Sequence, residues 1–90
     1  MSNDLAKSVK LVDTAETVYA TGTPVGKIVW SAMSNTHVLQ IDDNVTGEML
    51  YYAKASLDND YFEFDFNGKS IALKVTTIGS GKLLIYPYLP

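Results

Sequence analysis

Tyr61-Phe62-Glu63-Phe64-Asp65-Phe66-Asn67-Gly68-Lys69-Ser70-Ile71-Ala72-Leu73-Lys74-Val75-Thr76-Thr77 is the stretch whose reading decides the fold. Residues 61–66 alternate without a break. Phe62, Phe64 and Phe66 point one way, and Tyr61, Glu63 and Asp65 the other, which is the period of an extended strand with one buried face. Asn67-Gly68 follows, and both residue types accept the positive φ that a two-residue type I′ hairpin turn demands. Residues 69–77 alternate again, with Ile71, Leu73 and Val75 on one face. The stretch is therefore expected to be a β-hairpin, strand 61–66 returning as strand 69–77.

The same periodicity extends in both directions. Gly79-Ser80-Gly81 has turn composition, and residues 82–88 form a closing strand. Pro87 marks that strand as an edge, because proline cannot donate to a ladder. Upstream, residues 37–42 and 48–54 read as strands around the turn Asp43-Asn44-Val45-Thr46-Gly47, with Gly47 free to take positive φ. Leu57-Asp58-Asn59-Asp60 breaks the second of them. Residues 27–33 place Ile28, Trp30 and Ala32 on one face and Val29, Ser31 and Met33 on the other. Ser34-Asn35-Thr36 is a turn. Residues 21–26 have the glycines and proline of a loop. Short extended segments are expected near Val9–Val12 and 17–21, and Met1–Ser8 as a polar arm. Seven or eight short strands with turns every eight to twelve residues predict an all-β fold, an antiparallel β-sandwich or small barrel over residues 9–90.

Ninety residues allow one domain. Hydrophobic residues make up 47% and charged residues 19%, the balance of a folded chain rather than a disordered one. A chain this short buries only about 60–65% of its unfolded surface, and it has no cysteine to staple it. Oligomerisation is the remaining common way to bury more apolar area. The net charge is −3, and all seven basic residues are lysine. Without arginine forks or a basic cluster, nucleic acid is not an expected partner. No apolar run approaches the length of a membrane span or a signal peptide, so neither a membrane partner nor export is expected.

The motifs that would carry chemistry are incomplete. His37 is the only histidine, whereas a metal or nucleophile site needs several converging groups. Asp42, Asn44, Thr46 and Gly47 occupy the first, third, fifth and sixth positions of a calcium loop, but Ala53 stands where the bidentate glutamate belongs. Gly81-Lys82 lacks the upstream glycine and the following Ser or Thr of a phosphate loop. Ser80 lacks the glycines two residues to either side that a nucleophile elbow needs. Glu63 with Asp65, and Asp58 with Asp60, read as a solvated face and a turn. Asn44-Val45-Thr46 is a glycosylation triplet in a chain with no secretory signal. No catalytic residue, metal ligand or cofactor is expected, and the chain is not expected to be an enzyme.

The aromatic residues remain. Three phenylalanines and Trp30 suffice for a small core, which leaves six tyrosines to place. Tyrosine offers apolar area with a polar tip and is enriched at interfaces. Tyr51, Tyr52, Tyr86 and Tyr88, with Leu89 of the apolar tail, are the candidate interface residues. Cross-strand tyrosine pairs that support a sheet are the plainer use of the same side chains.

Residues 66–86, a strand with threonines, a glycine-containing turn, an apolar strand and a tyrosine, resemble the ending of small all-β proteins of tailed bacteriophages. The Asp-rich turn within residues 38–52 is similar too. The resemblance implies a virion structural protein of the head decoration or cement type, found in the virion and in the host cytoplasm during assembly. Its partners would be the major capsid protein or another virion protein, together with copies of itself, a trimer being favoured. The alternative is a carbohydrate- or receptor-binding module of a phage tail or fibre.

Overall fold

The computed structural model describes residues 9–88. Eight strands are present: β1 (Lys10–Val12), β2 (Glu16–Thr17), β3 (Thr23–Met33), β4 (Val38–Asp43), β5 (Met49–Lys54), β6 (Asp60–Ile71), β7 (Leu73–Ile78) and β8 (Lys82–Pro87). They form two antiparallel four-stranded sheets, in the orders β1-β8-β3-β6 and β2-β7-β4-β5. The two inner faces meet in one apolar core, so the fold is a small β-sandwich. The expected arm, Met1–Ser8, and the tail residue Leu89 lie outside the described residues.

The core follows the alternation. Val12, Leu83, Trp30 and Phe62 form one inward row across the first sheet, and Ile85 and Ile28 the next; Phe64, expected in the core, ends that row on edge strand β6 and is 40% exposed. Leu39, Ile41, Leu73 and Val75 answer them from the second sheet. Trp30 is fully buried and stacks on Phe62, with ring centroids 5.7 Å apart. Its indole N–H donates to the Ser80 carbonyl at 2.9 Å, so the one polar atom of the ring is satisfied. Truncating a buried aromatic costs about 3–5 kcal/mol. A chain of this size has about 5–13 kcal/mol in total, so this contact is decisive for stability.

The expected hairpin at Asn67-Gly68 does not form. Both residues do adopt positive φ, 54° and 80°, as their types allow. Yet the chain does not reverse there: β6 runs on to Ile71 and pairs with β3 on both sides of residues 66–68. Val25 pairs with Lys69 and Lys27 with Asp65, so Phe66, Asn67 and Gly68 together stand opposite Gly26 alone. The local turn is absorbed as a three-against-one bulge, larger than the common two-against-one kinds, within a strand pair. The reversal expected at 67–68 is replaced by a change of sheet at Ala72, after which β7 pairs with β4 and β2.

Other expectations are corrected for related reasons. The loop at 21–26 is strand from Thr23 onward, because β6 and β8 flank it. The second extended segment is only Glu16–Thr17. β8 is interior rather than an edge. Pro87 is tolerated there because it is the last residue of the strand, beyond β1, which pairs only with Leu83, Leu84 and Ile85. Met33 was expected opposite Trp30 but is buried in the core, since the register slips between Ser31 and Met33.

Gly68 carries the bulge sterically as well. A Cβ there would lie 2.8 Å from the Tyr88 ring, which rests on the bare backbone. Gly47 has nearly the same φ, 79°, but nothing lies within 4 Å of its would-be Cβ. Each glycine-to-alanine change carries the left-handed penalty of roughly 1–2 kcal/mol. Gly68→Ala is expected to cost more than Gly47→Ala in urea unfolding and to shift the Tyr88 ring resonances, which Gly47→Ala leaves unmoved. Equal costs and an unmoved Tyr88 would contradict this packing.

Candidate functional site

No polar or charged residue is buried among the described residues, so any chemistry lies on the surface. The four candidate interface residues that the structure describes do not form one site. Tyr86 and Tyr88 come together at one end of the first sheet, where they line a common groove. Tyr51 points inward from edge strand β5, half-buried, with its ring 5.0 Å from Phe64, and burial raises its phenol pKa. Tyr52 faces the opposite way, exposed on the outer face of the second sheet beside Gln40. Consecutive strand residues point to opposite faces, so Tyr51 and Tyr52 could not have shared a surface.

The outer face of the first sheet holds two features that single-residue reading missed. The first is an apolar row. Leu11, Leu84 and Val29 pair across β1, β8 and β3 on the face away from the core. Val29 is only 6% exposed, although it points outward and does not belong to the core cluster. Leu11 is 57% exposed and Val9, two residues before it, 44%. Outward positions of a solvated antiparallel sheet are ordinarily polar. The alternation at 9–12 signals a strand, but nothing local tells which face of so short a strand is inward.

The second feature is the groove. Its lining is Gly26, Lys27, Asp65, Asn67, Tyr86, Pro87 and Tyr88, and its volume is 310 Å³. Lys27 is placed by two contacts, an ion pair to Glu63 Oε2 at 3.1 Å and a position 5.1 Å over the Tyr86 ring. Glu63 raises the Lys27 pKa. Glu63 itself lies below its ordinary range, chiefly through the Tyr61 hydroxyl, which donates to it at 2.9 Å, and then through Lys27. The Tyr61 phenol is raised in return. Asp65 Oδ1 accepts the Asn67 N–H at 2.7 Å, closing the bulge.

A third arrangement joins residues far apart in sequence. Ser80 Oγ lies 2.7 Å from His37 Nδ1 and accepts the Ser34 N–H at 2.8 Å. A hydroxyl beside an imidazole resembles half of a nucleophilic site. Among the described residues, no group hydrogen-bonds the other nitrogen of His37 to orient the ring. With its carbonyl taken by Trp30, Ser80 ties the β7–β8 turn to the β3–β4 turn. Ser80→Ala is expected to lower stability by about 1 kcal/mol in chemical denaturation. No change in the midpoint would remove the clamp.

The carboxylates at the incomplete calcium loop are engaged within the second sheet. Asp43 Oδ1 accepts the backbone N–H groups of Val45 and Thr46 at 2.7 and 2.9 Å. Asp42 turns to the other side, to the Thr76 hydroxyl and the Gln40 amide. Asp60 accepts the N–H groups of Ser56 and Tyr61. These bonds hold all three aspartates below the ordinary carboxylate range.

Together with Glu63 they set a pH dependence. Folded-state pKa values below the unfolded ones mean that the unfolded chain binds more protons in acid. The contribution is complete above the ordinary carboxylate pKa and is lost as pH falls through the folded values. The urea midpoint is expected to be level near neutrality and to fall between about pH 5 and pH 2. Asp43→Asn and Asp60→Asn should each flatten that fall, and a flat wild-type profile would contradict the assignment.

Comparison with known proteins finds no matching family model, no similar curated protein and no similar solved structure.

Proposed function

We propose that this chain is a non-enzymatic structural protein of a bacteriophage virion, a capsid decoration or cement protein that binds and stabilises the assembled head. The observation that carries the reading is the outward apolar row Leu11–Leu84–Val29. An apolar centre with a polar margin is the anatomy of a protein-docking surface. Here the margin is Lys27, Glu63 and Lys82. The resemblance of residues 66–86 to the endings of small phage proteins directs the reading to a virion.

The mechanism is mass action. A ligand that binds only the assembled shell stabilises it by RT ln(1 + [L]/Kd). A homo-oligomer, with a trimer favoured, would present the face several times and gain by avidity. The alternative, a carbohydrate- or receptor-binding module of a tail or fibre, is favoured by one observation, the tyrosine-walled groove at the bulge.

The test is co-sedimentation with heads of the parent phage assembled without this protein. Leu11 is more than half exposed, so Leu11→Glu should leave the thermal midpoint nearly unchanged. It is expected to weaken head binding at least about tenfold, or 1.4 kcal/mol. Wild-type protein that fails to sediment with heads contradicts the virion reading. Binding that is unaffected by Leu11→Glu contradicts the assigned face.

A further inference from the structure

Three backbone irregularities meet at one end of the first sheet and build its groove. Gly26 is the extra residue of β3 relative to β8. A Cβ there would lie 3.2 Å from the carbonyl oxygens of both Tyr86 and Pro87. Opposite Gly26, Asn67 and Gly68 hold positive φ within β6. Tyr88 then folds over Gly68. Bulges that re-aim side chains beside a concavity are a recurrent device of binding sites. The volume, 310 Å³, lies at the lower end of the roughly 300–1,000 Å³ range of small-molecule clefts.

We propose that this groove binds a neutral saccharide of one or two pyranose rings. Tyr86 and Tyr88 supply apolar aromatic walls for the C–H face of a sugar, each with a hydroxyl at its tip. Asp65 and Asn67 stand beside them. Asp65 Oδ1 is engaged by the Asn67 N–H, and among the described residues its second oxygen has no partner. A carboxylate oxygen and a carboxamide accept from, and donate to, neighbouring hydroxyls, which is the polar pattern of a sugar edge.

Rival occupants fit less well. An anion would face Asp65 and find one cation, Lys27, already paired with Glu63. A proline-rich peptide offers mainly carbonyl acceptors, and a carboxylate cannot donate to them. The saccharide site uses residues outside the apolar row; it rests on the alternative reading of the groove and not on head binding, so either can fail without the other.

The experiment is a 15N-resolved NMR titration of the whole chain. The probes are the methyl pyranosides of glucose, mannose and galactose, N-acetylglucosamine, an octaproline peptide and inorganic phosphate. Single rings bind weakly, so concentrations run to roughly 20 mM, around the millimolar Kd range. At least one sugar is expected to shift the amides of Gly26, Asn67, Gly68 and Tyr88 saturably. Asp65→Asn keeps an acceptor for the Asn67 N–H, and Tyr86→Ala removes one aromatic wall. Each should weaken that Kd at least about tenfold with the rest of the spectrum unchanged. The proposal is overturned if no sugar gives saturable shifts, if peptide or phosphate gives them in place of sugar, or if the variants bind as the wild type does.

Discussion

The register between β3 and β6 is the constraint on which the rest of the structure depends. Opposite Gly26, β6 carries Phe66, Asn67 and Gly68. Counted against β8, Gly26 is one extra residue in β3 and β6 carries two more, three in all, and an odd number reverses which side chains face inward. β3 makes the same reversal at Gly26, so Ile28 and Trp30 are inward on one side of it and Val25 on the other. In β6 the inward set passes from Phe62 and Phe66 to Ile71. Because both strands reverse at the same level, the core stays apolar across the irregularity. Had only one strand done so, Ser70 would have taken the place of Ile71 on the inward face.

That shared reversal has consequences on both faces. Inside, it lets a single long strand deliver Phe62 to Trp30 at one end and Ile71 to the sheet-switching corner at the other. Outside, it opens the groove between Asp65, Asn67 and the Tyr86–Tyr88 segment. The same strands carry the outward apolar row, centred on Val29. The two surface features are adjacent but differ in chemistry. The row is flat and apolar and suits a protein surface. The groove is concave with mixed polarity and suits a small polar ligand.

Much of the architecture was legible from local pattern. The strand signals at residues 37–42, 48–54 and 82–88 correspond to β4, β5 and β8, because a local extended pattern bounded by turn residues reports a strand without help from its neighbours. Gly47 and Gly81 were legible as turn glycines for the same local reason. Asn67-Gly68 was not legible as a bulge. Its backbone does what its residue types demand, but whether two left-handed residues reverse a chain or only bulge it depends on the strand alongside, here β3, some forty residues earlier. The interior position of β8 was hidden likewise, since Pro87 reports on one residue and not on the strand. Of the candidate interface residues, Tyr86 and Tyr88 lie together in the groove. Tyr51 and Tyr52 could have been separated by their odd spacing alone. Ser80 with His37, and Leu11 with Leu84, meet only through the sandwich topology.

The most direct test of the β3–β6 register is the pattern of interstrand nuclear Overhauser contacts across residues 60–77 in the free protein. The account predicts contacts of Trp30 with Phe62 and of Val25 with Lys69, and none of Phe64 with Ile71. A hairpin at Asn67-Gly68 would give Phe66 with Lys69 and Phe64 with Ile71 in cross-strand register. That result would contradict the bulge, the sheet switch at Ala72 and the groove built on them.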